Sequence, residues 1–256
     1  MGENSNQSKA TGTREWSDVS HNIGKGCSHN CRYCYAADHA LKTGQIKTRD
    51  EWSTETITPR RIPTKPGIIM FPTAHDITPF YLEESLVTIQ QMMEAGRSVV
   101  IVTKAHLECV KAICDKFTGY KGNIVLRVTI GSMDETICKF WEPGAPSSSE
   151  RLSALKYAYD LGYTTSVSME PILVGVTDAV KTFYMVEPYV NEKIWIGRMN
   201  GPDWRVDTSD PVIKGRVAYI KKCQSDSEML KLYGMLKGHS KVAWKDSIKQ
   251  VVGGEI

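Results

Sequence analysis

The chain predicts an α/β fold, an open partial (β/α)6 barrel followed by C-terminal helices, and three observations carry that expectation. Its 256 residues, 41% hydrophobic and 24% charged, suffice for one domain with a sizeable core and exclude a disordered or collagen-like chain. From residue 67 onward, short β-branched runs alternate with stretches whose apolar residues recur at helical spacing. No internal repeat interrupts the alternation, and low complexity is confined to the polar start of the chain.

In order, residues 19–23 read as a first strand, followed by a loop rich in glycine and cysteine and a helix over 35–42. GIIMF (67–71) is an apolar strand, and LEESLVTIQQMMEA (82–95) a helix stopped by Gly96. SVVIVT (98–103) is a β-branched strand and AHLECVKAICDKF (105–117) its helix. NIVLRVTIG (123–131) is the next strand; SSERLSALKYAYDLG (148–162) is a helix with a serine cap and a glycine stop. TTSVSME (164–170) is a strand, residues 177–186 are helical, and KIWIG (193–197) is the last strand of the series. About six such units imply parallel strands with right-handed crossovers, too few to close a barrel. Residues 211–252 show helical spacing through Val217, Ile220, Met229, Leu232, Met235 and Leu236, and are expected to close the bottom or the open side. The expected division is a flexible N-terminus over 1–15, the barrel over 16–200, and a helical segment over 201–256 packed on it.

In parallel α/β folds the chemistry sits in the loops at the C-terminal ends of the strands. Those loops hold GKGCSHNCRYCYA, PTAHDITP, Lys104, GSMDETICKFWEPGAP, Glu170-Pro171 and Arg198-Met199-Asn200. Strand alternation places Arg127 and Thr129 on one face, and Ser166, Ser168 and Glu170 on another shared face. Charges there are costly unless they pair or meet a ligand, so they predict either an ion pair inside the barrel or a polar site.

The net charge of +3 is unevenly spread: residues 25–65 hold eight Lys/Arg against four Asp/Glu, 211–256 nine against four, and 66–210 thirteen against eighteen. Basic flanks suit phosphates. They also describe solvated helix faces, the reading given to Lys221, Lys222, Lys231, Lys237, Lys241, Lys245 and Lys249. No run approaches the roughly 18 apolar residues that span a bilayer, and MGENSNQSKATGTREW lacks the apolar segment of a secretory signal. A cytoplasmic protein with no membrane partner is therefore expected.

Seven cysteines, three of them within residues 27–34, do not resemble a secreted disulfide framework. Cys27, Cys31 and Cys34 form C-x3-C-x2-C behind Gly24 and Gly26, a spacing that lets three thiolates each ligate a different iron of a cubic cluster and leave the fourth iron open. The competing metal is zinc, with His21, His29 or His39 as fourth ligand, in a binding module without catalysis.

CSHNCRYCY (27–35) resembles the cluster motif of the radical S-adenosylmethionine (SAM) superfamily. PTAHDITP, IVTKA, WEPGAPSSSERLSALKYAYDLGYTTSVSMEPIL and IWIGRMN, in that order, resemble its spore photoproduct lyase-like group, and the likeness runs from about residue 16 to 200. The resemblance implies a partial barrel of the radical SAM type, a [4Fe-4S] cluster held by Cys27, Cys31 and Cys34, and SAM on the open iron. It implies reductive cleavage of SAM to a 5′-deoxyadenosyl radical, fed by a one-electron reductant of flavodoxin or ferredoxin type. Lys104 resembles the family lysine that faces the SAM carboxylate; His75 and Asp76 stand where the family places polar contacts to SAM. Tyr33 is expected near the adenine, and Thr129 or Arg127 at the ribose or carboxylate.

One departure stands out: spore photoproduct lyase carries a hydrogen-donating cysteine after the second strand, and here that loop reads Thr73-Ala74-His75-Asp76. This argues against spore photoproduct repair itself. Cys138 is the remaining candidate hydrogen-atom donor, or a packing residue, while Cys109, Cys114 and Cys223 read as packing. Only Cys223 lies beyond residue 200, unlike peptide-modifying relatives that carry cysteines there for further clusters. The substrate expectation is a nucleic-acid base, a pyrimidine or modified pyrimidine, with DNA or RNA as partner and Trp16, Trp52, Trp141, Trp195 and Trp204 as stacking candidates. A small molecule or peptide is the alternative. Glu170, Arg198 and Asn200 cap the fifth and sixth strands and are the candidates to face substrate, Asn200 also as a cofactor contact.

Overall fold

A computed structural model describes residues 15–253. The expected flexible segment, residues 1–15, lies outside the described residues except for Glu15. Strands β1 (Val19–Ser20), β4 (Ile69–Phe71), β5 (Val99–Thr103), β6 (Ile124–Thr129), β7 (Thr164–Met169), β8 (Ile194–Ile196) and β9 (Val242–Trp244) form one seven-stranded sheet in that spatial order. Every neighbouring pair is parallel. A second, two-stranded sheet pairs β2 (Gly24–Lys25) antiparallel with β3 (Thr56–Ile57). Helices α2 (Leu82–Glu94), α3 (Leu107–Lys116), α5 (Ser148–Asp160) and α6 (Val176–Val186) fill the crossovers, α1 (Tyr35–Lys42) follows the cysteine loop, and α4 (Glu135–Trp141) precedes α5.

Strand alternation separates two environments. Ile69, Phe71, Ile101, Leu126, Val128, Val167, Met169, Ile194 and Ile196 are buried in one core with Ile89, Val110, Leu155 and Phe183 of the covering helices. The opposite face carries the polar series, and register sets Arg127 against Ser166 and Thr129 against Ser168. Helix α5 starts where the Ser147 side chain accepts from the Glu150 amide at 3.1 Å, and its chain turns back at Gly162, φ 79°.

Two elements depart from the sequence reading. Residues 211–252, read as helical throughout, form α8 (Pro211–Cys223), α9 (Asp226–Leu236) and α10 (Asp246–Val252) with β9 between the last two. The three-residue strand adds a seventh position to the sheet, pairing Ile196 with Trp244. Short α7 (Pro202–Arg205) precedes them. The loop after β6 is largely α4, capped by Asp134, whose carboxylate accepts from Thr136 N and Ile137 N. Among the described residues, no helix is long and apolar enough to cross a membrane.

Candidate active site

The loop bearing Cys27, Cys31 and Cys34 is stitched to the chain on both sides. Cys27 N donates to Trp52 O at 2.8 Å, and the Arg49 guanidinium donates to the carbonyls of Cys31 (3.2 Å) and Cys34 (3.1 Å). On the other flank Arg32 N donates to Trp141 O at 2.8 Å and Gly144 N to His29 O at 2.9 Å. Gly26 holds φ 84°, and a Cβ there would lie 1.9 Å from Thr54 O. A Cβ on Gly144 would lie 2.1 Å from Ser28 O, so the W-E-P-G segment presses its backbone onto the cysteine loop. Cys34 caps α1, accepting from Ala37 N at 3.5 Å, a position that favours a thiolate.

The three thiols line a cavity of about 520 Å³ at the C-terminal ends of the strands. Tyr33, His75, Asp76, Lys104, Thr129, Glu170, Arg198 and Asn200 line it too, so most of the predicted site converges there. Burial pushes the Cys31 thiol up to about 12 and raises Cys27 well above its ordinary value. Among the described residues no three His, Cys, Asp or Glu side chains converge on one ion. His29 lines the cavity, whereas His21 and His39 do not. Three soft donors on one cavity wall, spread too far for a single ion, fit a cluster in which each thiolate takes its own iron rather than a zinc site.

Behind Lys104 sits a buried charge network from the W-E-P and E-R-L segments. Glu142 pairs with Arg151 at 2.5 Å and lies 3.9 Å from Lys104 Nζ, and Tyr33 donates its hydroxyl to Glu142 Oε1. Burial alone pushes the Glu142 carboxyl up, but Arg151, Lys104 and the Tyr33 hydroxyl together hold it below the usual carboxylate range. Burial would lower Lys104, yet Cys31, Glu142 and Asp76 raise it, so it stays a cation. Arg151 also donates to Thr129 O at 3.2 Å, tying the network to β6.

Several assignments change in the structure. His75 and Asp76 line the cavity, but their polar atoms are committed to the protein. His75 Nε2 accepts from Ile23 N at 3.2 Å and its Nδ1 faces Asp76 O at 3.0 Å, leaving neither nitrogen for a SAM contact. Asp76 accepts from Thr103 Oγ1 (2.5 Å), Ile77 N (2.7 Å) and Lys104 N (2.8 Å), with His29 Nδ1 at 3.4 Å. Both residues thus shape the loop that carries Lys104.

Arg127, predicted as a cofactor contact, does not line the cavity. It lies one alternation below Thr129, bonded to Ser166 Oγ (2.9 Å) and Glu192 (3.2 Å), with Trp16 and Trp195 rings at 4.7 and 5.3 Å. This is the ion pair inside the barrel. Cys138, the candidate hydrogen donor, is buried with Trp141, Leu173 and Val217 and bonded to Ser132 O (3.3 Å) and Ser148 Oγ (3.1 Å), away from the cavity. It is a packing residue because α4 turns its inner face toward α8. Cys109 and Cys114 are buried in the main core, as expected.

Of the tryptophans, Trp52 and Trp141 are buried, Trp16 lines the cavity, and Trp204 is exposed. Glu170 pairs with neither arginine foreseen for it but with Lys245 at 3.5 Å, and Arg198 bonds Asp226 at 2.6 Å. Lys245, read as solvated, is 1% exposed. Sequence reasoning missed Glu142, Arg151, Arg49, Arg205 and Lys245. For the first two the W-E-P and E-R-L motifs carried the signal; the last three had none.

Comparison with known proteins agrees with this geometry. The chain matches the Radical SAM superfamily over residues 21–184. It is 27% identical over 167 residues to the uncharacterized protein ORF301 of Acidianus two-tailed virus, covering 59% of this chain and 54% of that one. The chain thus spans about half the length of that relative. The structure of spore photoproduct lyase complexed with dinucleoside spore photoproduct superposes with TM-score 0.50 at 17% identity, covering 77% of this chain and 60% of that one. That of SuiB from Streptococcus suis bound to precursor peptide SuiA gives 0.55 at 10%, covering 90% and 47%. Those two likenesses are of fold. The family match takes in the cysteine loop, Lys104 and the Glu142–Arg151 pair, and the chain belongs to the Radical SAM superfamily, whose members work with a [4Fe-4S] cluster and SAM.

Proposed function

We propose that this chain is a radical SAM enzyme that modifies a nucleic-acid base, with the cavity as its active site. The cluster and SAM, when bound, supply a 5′-deoxyadenosyl radical that takes a hydrogen atom from substrate. Cys27, Cys31 and Cys34 would hold the cluster, and an electron donor of flavodoxin or ferredoxin type would reduce it. Lys104, kept cationic by Glu142, offers a charge-assisted partner for a carboxylate. Thr129 and Ser168, on the polar face below, offer hydroxyls for a ribose. Glu170, Arg198 and Asn200 remain for the substrate.

The observation that carries the nucleic-acid reading is the rim. Trp204 is 55% exposed, with Lys42 Nζ 4.5 Å and the Arg205 guanidinium 4.7 Å from its ring centroid. Arg205 and Arg198 both line the cavity the rim leads into. An exposed indole among cations suits a strand of bases and phosphates. The test is binding of single-stranded DNA and RNA oligonucleotides to the reconstituted protein over a range of salt. Cations at Lys42, Arg198 and Arg205 predict a slope of about −2 for log affinity against log salt, flattened in Lys42→Ala and weakened in Trp204→Ala. Absence of binding at low salt would overturn the reading and turn the search to small molecules and peptides.

A further inference from the structure

The β7–β9 end of the sheet holds a charge cluster that neither the iron site nor SAM accounts for. Lys245 follows β9 as Glu170 follows β7, and its ammonium lies 2.6 Å from Glu15, 3.5 Å from Glu170 and 3.6 Å from the centroid of the Trp16 ring. Lys249 reaches Glu15 at 4.0 Å. Gly197, at the end of β8, leaves room for the pair: a Cβ there would come within 3.0 Å of the Lys245 side chain and 3.2 Å of Glu170 Cγ.

A lysine this deeply buried is costly, and an apolar side chain of similar volume would fill the same space at least as well. Glu170 differs from Glu15 in that it also lines the cavity. Burial, first, and the like charge of Glu15 raise its carboxyl, while Lys245 and Arg205 oppose them. Next along the wall, Arg198 and Asn200 supply donors. A carboxylate accepts only, whereas guanidinium and amide N–H groups donate. The wall thus presents an acceptor flanked by donors, the complement of a ring N–H flanked by carbonyls.

We propose that Lys245 is a positioning residue that holds Glu170 as a fixed hydrogen-bond acceptor on the cavity wall, and that the group it receives is the imide N–H of a uracil- or thymine-type base. This rests on the nucleic-acid reading for the identity of the ligand, though not for the coupling of the two side chains. Cytosine offers no N–H at that ring position and is disfavoured.

Two measurements on the reconstituted holoenzyme test it, with iron content and circular dichroism checking each variant's fold. In the first, 13C-labelled glutamate side chains are titrated by NMR, with Glu170→Gln assigning the resonance. Lys245→Met moves the Glu170 titration upward, and Lys245→Arg restores it. An unchanged titration in a folded Lys245→Met protein overturns the positioning role. In the second, with SAM present, thymidine and cytidine dinucleotides are titrated against tryptophan fluorescence. The thymidine form binds at least about 10-fold tighter, and both Glu170→Gln and Lys245→Met erase the preference. Equal binding, or a preference that survives Lys245→Met, overturns the imide assignment. If neither dinucleotide binds, the nucleic-acid reading and the imide assignment fall together, while the NMR titration still decides whether Lys245 governs Glu170.

Discussion

Replacing Arg151 by Met leaves the Glu142 carboxylate buried without its strongest partner. The guanidinium sits 2.5 Å from that carboxylate, and it donates to Pro146 O at 3.0 Å and Thr129 O at 3.2 Å. Removing one member of a buried pair costs about 3–5 kcal/mol. Lys104 and Tyr33 remain as partial partners, so about 4 kcal/mol is the working figure, or ~8–16 °C in Tm for a chain of this length. Glu142→Gln/Arg151→Met removes the stranded charge and should recover about 2 kcal/mol relative to the sum of the single variants. Because the folded Glu142 carboxyl titrates below its unfolded value, the pair's contribution is fully present above about pH 4.3 and fades as pH falls through the folded value. The gap between wild type and Arg151→Met should therefore narrow in acid. The assay is anaerobic thermal unfolding followed by circular dichroism, with urea unfolding across pH as the second arm. A shift under about 3 °C, or additive single variants, would refute the assignment of Glu142–Arg151 as the brace behind Lys104.

Three further outcomes follow from the same geometry. Stripping the cluster should leave Cys27 and Cys31 protonated at neutral pH, since burial raises both, so iodoacetamide labels half-buried Cys34 first and Cys31 only in strong alkali; mass-mapped labelling of all three at equal rates at pH 7.5 would contradict this. Gly144→Ala should cost about 1–3 kcal/mol and lower iron content, because its Cβ would meet the Ser28 carbonyl; full iron content and unchanged Tm would count against the contact. Asp76→Asn should cost about 1–3 kcal/mol and weaken SAM binding through a displaced Lys104 loop, as read by calorimetry; wild-type SAM affinity would remove Asp76 from that role.

The strands from β4 to β8 were legible because their β-branched runs are separated by helices with capping serines and terminal glycines. β9 was not, because three residues between two helical stretches carry no period of their own. The cysteine loop and Lys104 could be read from spacing and motif. Glu142 and Arg151 were visible as letters of that motif, but their ion pair arises only when α5 folds back beneath β6. Arg127 and Thr129 share a face, as alternation requires, yet alternation cannot say which of them reaches the cavity and which lies a layer below. Lys245 was misread because helical spacing treats a lysine as surface; the parallel pairing of β9 with β8 turns it inward to Glu170.

The central claim is tested most directly by anaerobic reconstitution with iron and sulfide, followed by dithionite and SAM. 5′-Deoxyadenosine is then quantified for wild type and for Cys27→Ala, Cys31→Ala and Cys34→Ala. The account predicts about four irons per chain and 5′-deoxyadenosine only when all three cysteines are present. A colourless protein that holds zinc and leaves SAM intact would contradict it.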